Sequence, residues 1–130
     1  MKFLALIYNA EHMYADAAPE VIAETFAAHG AFMEAATAAG VHVGGEGLQP
    51  TATATTVRVR DDERMLTDGP YAETKEQLGG YYLLECKDLD EALEWAARIP
   101  EAKTGAIEVR PIMDYEALQA QVDAAEATAS

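Results

Sequence analysis

The side chains of this chain that could do chemistry are three histidines, one cysteine, and several tyrosines and carboxylates set close to turns. His12, His29 and His42 fall by pattern on a loop, a helix and a strand, so no two of them have the spacing that metal ligands take on one element. The pattern points to no metal centre and no organic cofactor. His29 stands apart. It lies on the apolar stripe Ile22, Phe26, His29, Met33 and Ala36, away from the face bearing Glu20, Glu24 and Glu34. An imidazole turned inward must find a hydrogen-bond partner or remain a costly unsatisfied group. From the pattern alone it reads as a structural histidine with one satisfied nitrogen. Cys86 lies within an apolar strand and reads as a small buried hydrophobe rather than a nucleophile. Being alone, it also excludes an internal disulfide and a cysteine-based zinc site.

Glu46 sits among Gly44, Gly45 and Gly47, either projecting into a cavity or exposed on a loop. Those glycines do not form a phosphate loop, because no Lys-Ser/Thr pair follows them and no helix opens there. They read as a strand, beginning at Val41, with a bulge or a close backbone contact. His42 alternates away from Val41 and Val43, onto the other face.

The most particular stretch is Thr67–Tyr82. Asp68-Gly69-Pro70 is a sharp stop, since glycine is permissive in backbone angle and proline has no N–H for a ladder. The segment 72–76 is expected to make one helical turn, and 78–86 a buried strand opened by Gly79 and Gly80. Upstream, 2–8 alternates with both faces apolar, as a central strand would. Residues 19–39 read as a helix ended by Gly40. Thr56–Arg60 and Arg64–Thr67 read as a hairpin around Asp61-Asp62-Glu63. Asp88 is an N-cap with Glu91 three residues on; the helix after it is expected to bury Leu89, Leu93 and Ala96, and Pro100 stops it. A last strand spans 105–112. An amphipathic helix with a frayed end is expected over 113–130.

With 130 residues, half of them apolar, the chain is one globular domain (1–112) plus a C-terminal helical extension (113–130). A formal charge of −14, with nine basic residues scattered, excludes a nucleic-acid-binding surface. The run Phe3–Tyr8 is too short for a signal peptide or a membrane span, so a soluble cytoplasmic protein is expected. The element order is that of a ferredoxin-like α+β fold with an antiparallel sheet and an inserted β-hairpin. Two helices cover one face of such a sheet. Apolar residues on both faces of 2–8 and 78–86 therefore call for a second copy of the sheet, and a homodimer is expected; the C-terminal helix covering that face is the alternative.

At Asp68-Gly69-Pro70-Tyr71-Ala72-Glu73-Thr74-Lys75-Glu76, with Gly44–Leu48 upstream and Val109–Ile112 downstream, the chain resembles the YCII-related family and within it the DGPF subgroup. Tyr71 replaces the usual Phe. The resemblance implies a dimeric α/β barrel and a pocket holding a histidine of the first helix and an aspartate as an acid/base pair. His29 matches the histidine; Asp68, in the signature turn, is the aspartate chosen, although a turn-forming role competes. Some relatives carry out lyase or dehalogenation steps on lactones. Two functions follow. The first is a cofactor-independent lyase or isomerase in which His29 and Asp68 move the proton and Tyr8, Glu46, Tyr71, Tyr81 and Tyr82 contact the small-molecule substrate. The second is a ligand-binding or protein-interaction module tied to sigma-factor-dependent transcription or stress response, where the negative charge suits a basic protein partner.

Overall fold

The structure, a computed structural model, describes residues 1–129. Strand β1 (Lys2–Asn9) is followed by a one-turn helix α1 (His12–Ala15), the long helix α2 (Pro19–Ala38) and strand β2 (His42–Gly47). Strands β3 (Thr55–Arg60) and β4 (Glu63–Asp68) form a hairpin, and β5 (Gln77–Glu85), helix α3 (Leu89–Ala96), β6 (Ala106–Pro111) and helix α4 (Tyr115–Ala129) complete the chain. The four long strands make one antiparallel sheet in the order β2-β5-β1-β6, while β3 and β4 pair only with each other. This is a ferredoxin-like α+β arrangement. The sheet is open, and no closed barrel forms among the described residues.

Alternation along β1 decides where the core lies. Phe3, Ala5, Ile7 and Asn9 are buried, whereas Leu4, Leu6 and Tyr8 stay half-buried. The buried face joins Tyr82 and Leu84 of β5 to Phe32 and Ala36 of α2 and to Ala92 of α3, with Ile107 and Val109 packed beside them. The other face carries Leu4, Leu6, Tyr81 and Leu83, cross-strand partners in the register. Helix α4 buries none of its residues. The expected frayed end is helical through Ala129, and Ser130 lies outside the described residues.

Several local expectations shift by a residue or a face. Helix α2 turns Phe32 and Ala36 into the core with His29 half-buried, while Phe26 is 72% exposed, so the inward stripe is rotated from the one read by apolarity. In α3 the buried residues are Ala92 and Ala96, and Trp95 packs against the core beside them, while Leu89 and Leu93 are exposed. Asp88 caps that helix by accepting from the Glu91 N–H at 2.9 Å. The segment 72–76 makes no helical turn. The hairpin turns through Asp61 and Asp62, both left-handed at φ 52° and 63°, a conformation that short polar side chains tolerate.

Candidate functional site

His29 reaches from α2 to the end of the sheet, where two side chains meet its ring. Nδ1 lies 2.7 Å from the Tyr82 hydroxyl, and Nε2 lies 2.8 Å from both carboxylate oxygens of Glu101. The aligned hydrogen bond goes to Oε2; Oε1 is buried and has no hydrogen bond among the described residues. Glu101 accepts from an N–H, and Tyr82 has an O–H to give. The network therefore assigns the proton of neutral His29 to Nε2 and makes Nδ1 the acceptor for the Tyr82 hydroxyl.

The carboxylate is held by a turn that local sequence dictates. Ile99, almost wholly buried, anchors the chain after α3; Pro100 opens a 3-10 turn over Pro100–Ala102, and Glu101 is 7% exposed within it. The Gly105 N–H closes the turn onto the Glu101 carbonyl at 2.8 Å. Gly105 has to be glycine, since a Cβ there would lie 2.0 Å from the Tyr8 carbonyl oxygen. At the end of β1 the buried Asn9 donates from Nδ2 to the Tyr14 hydroxyl at 2.8 Å and to Thr104 Oγ1 at 3.0 Å, tying α1 to the same turn.

Burial sets the phenols. Desolvation and then the negative charge of Glu101 push Tyr82 up to about 12. Tyr14 is raised by the same two causes in the same order, against hydrogen bonds from Asn9 and Thr104 that pull the other way. Both are phenol O–H groups over the physiological range.

These residues form one end of a cavity of about 980 Å³, whose wall also includes Ile7, Phe26, Met33, Leu48, Pro50 and Tyr81. Glu11 also lines it; its carboxylate accepts from Thr51 N–H at 2.7 Å and Thr51 Oγ1 at 2.8 Å, while the Glu11 N–H donates to Gln77 Oε1 at 2.9 Å. No group of three metal-ligating side chains is present among the described residues. No helix among them is long and apolar enough to cross a membrane.

Of the residues singled out by sequence, His29, Tyr81, Tyr82 and Glu46 line the cavity. Three do not. Asp68 ends β4 opposite Thr55, exposed and outside the cavity wall, and the carboxylate on His29 is Glu101 instead. Tyr71 is 80% exposed, its ring 5.4 Å from the Arg58 guanidinium. Tyr8 is half-buried and absent from the cavity wall. The physical reason is the isolation of the hairpin: β3 and β4 pair only with each other, so the signature turn that follows them is not carried to His29. Sequence reasoning missed Glu101, Tyr14 and Asn9. Glu101 stands 72 residues from His29, and nothing in Ile99-Pro100-Glu101 beyond a helix stop marks it. His42 also sits on the Tyr82 side, edge-on to its ring at 5.9 Å.

Comparison with known proteins gives three findings. Uncharacterized protein R00369 of Rhizobium meliloti (strain 1021) is 49% identical over 71 residues, 53% of this chain and 57% of that protein, so the match spans little more than half the length of this relative. A solved structure of 5-chloro-2-hydroxyhydroquinone dehydrochlorinase (TftG) from Burkholderia phenoliruptrix AC1100, in complex with 2,5-dihydroxybenzoquinone, is similar at 18% identity. That alignment covers 87% of this chain and 94% of the other, with a TM-score of 0.46. The YCII-related domain matches residues 1–116, nearly the whole described chain, and the protein belongs to the YCII-related family.

Proposed function

We propose that this protein is a small-molecule enzyme of the acid/base type, a cofactor-independent lyase or isomerase, in which His29 works with Glu101 and Tyr82. The single observation that carries the reading is an imidazole bridging a buried carboxylate and a phenol at the edge of a large, apolar-walled cavity. In the resting arrangement Glu101 holds the Nε2–H and fixes the tautomer. A proton leaving a substrate carbon is taken at the Tyr82 oxygen as the Tyr82 proton passes to Nδ1, or directly at Nδ1 once the substrate displaces the phenol. Either path yields an imidazolium facing Glu101, and a proton from this relay, free to exchange with solvent, goes back to the product or to the leaving group. Glu101 thereby fills the role that the family resemblance assigned to Asp68. The Asp68–Glu76 stretch supports placing the chain in the DGPF subgroup.

The test is exchange in deuterated water against a panel of halogenated and unhalogenated lactones, read by NMR as loss of the C–H signal next to the carbonyl or as elimination. Wild type is expected to turn over at least one member, with His29→Gln and Glu101→Gln lowering the rate by about 10²-fold or more, the usual size of general acid/base assistance. Panel members that bind without exchange or elimination would defeat the catalytic reading. A second reading is favoured by one observation: both ring nitrogens of His29 are already partnered. On that reading the cavity binds without transforming, as a module in a sigma-factor-linked pathway. We further infer a homodimer joined through the half-buried sheet face of Leu4, Leu6, Tyr81 and Leu83, on which no helix residue of the core cluster packs.

A further inference from the structure

We propose that the cavity selects its ligand by charge, admitting uncharged and cationic small molecules and turning away carboxylates and phosphates. The inference rests on this cavity being the ligand site, and not on turnover. Glu11, Glu46 and Glu101 line it and no lysine or arginine does; Glu46, opposite Tyr81 in the register, has its side chain on the other sheet face, which leaves Glu11 and Glu101 as the carboxylates on this side. Only imidazoles could supply positive charge there: His29 is held against Glu101, and His12 is exposed.

An anion would need a set of free donors, and several near the wall are already spent. Both Asn9 Nδ2 hydrogens go to Tyr14 and Thr104. The Thr51 N–H and hydroxyl go to Glu11, the Glu11 N–H goes to Gln77 Oε1, and Gln77 Nε2 donates to the Thr74 carbonyl. Desolvating a carboxylate or phosphate among acids, with few donors returned, is strongly unfavourable. The chain's net charge of −14 adds a long-range field of the same sign. A cation meets the reverse: carboxylates nearby, and the aromatic side chains of Phe26 and Tyr82, whose ring faces attract positive charge. An uncharged ligand loses little by entering an apolar wall.

Three probes of one shape, benzylamine, benzyl alcohol and benzoate, separate the cases. Each is titrated into the protein at low and at high salt, with binding located by the NMR signals of Phe26, Met33 and His29. Benzylamine and benzyl alcohol are expected to shift those signals. Benzoate should bind at least about tenfold more weakly than benzyl alcohol, the size expected for like charges a few ångströms apart in a partly wet site. Glu11→Gln keeps an oxygen for the Thr51 N–H and should narrow the gap, as should added salt. Benzoate binding as tightly as benzyl alcohol would overturn charge selection and leave the acid/base reading untouched. Failure of all three to shift the cavity signals up to their solubility limits would overturn it as well. Loss of lactone turnover with the probe order intact would remove the enzyme reading alone.

Discussion

Removing one oxygen, in Tyr82→Phe, should change the shape of the stability curve against pH more than its height at neutrality. The ring stays packed against Phe32 at 4.7 Å between centroids, so no cavity opens. What is lost near pH 7 is the hydroxyl bond to His29 Nδ1, about 0.5–1.5 kcal/mol for a neutral pair, with a further penalty limited by the partial exposure of His29. The alkaline limb moves the other way. Tyr82 is raised from 10.0 to about 12 in the fold, so above pH 10 the unfolded chain gives up this proton while the folded chain keeps it. Stability that is whole below pH 10 therefore falls as pH rises toward 12. Integrating the linkage, wild type has lost about 1.4 kcal/mol from this group by about pH 11, and the phenylalanine variant loses none of that share. Urea unfolding followed by the fluorescence of Trp95, from about pH 8 to about pH 11, should show the two curves converging. The remaining tyrosines titrate in both proteins and cancel in the difference. Parallel curves would mean that the Tyr82 hydroxyl ionises as in water, and would refute the claim that burial beside Glu101 controls it.

His29→Ala should cost about 3 kcal/mol or more by leaving Glu101 buried without its partner, and Glu101→Leu in the same chain should recover much of it; additive losses in this double-mutant cycle would contradict the pairing. Gly105→Ala forces a Cβ against the Tyr8 carbonyl and should destabilise by about 1–3 kcal/mol, with the Tyr14 and Glu101 environment disturbed in NMR spectra. An unchanged midpoint in urea would show that the turn can yield. Leu6→Lys on the half-buried sheet face should leave the monomer folded and shift sedimentation toward the monomer; a monomeric wild type at all accessible concentrations would dispose of the dimer.

The order of elements, the antiparallel sheet, the hairpin and the capped helix at Asp88 were legible in the chain because each rests on local physics: a short run apolar on both faces in β1, period 3.6 in α2, a carboxylate accepting one N–H, a proline that cannot continue a helix. His29 was legible as an inward imidazole needing a partner, since a polar group on an apolar stripe has no other way to be satisfied. The identity of that partner was not. Helix rotation is decided by tertiary packing: Ala92 and Ala96 are buried and Trp95 packs on the core while the more apolar Leu89 and Leu93 stay exposed, and Phe26 lies at the cavity wall. The carboxylate came from Glu101 and not from Asp68 because the hairpin before Asp68 pairs with no other strand, whereas the turn after α3 packs back on β1 through Ile99, Asn9 and Gly105. Composition and periodicity determine which residues want to be buried. Only the tertiary packing decides which buried polar groups, dozens of residues apart, face one another.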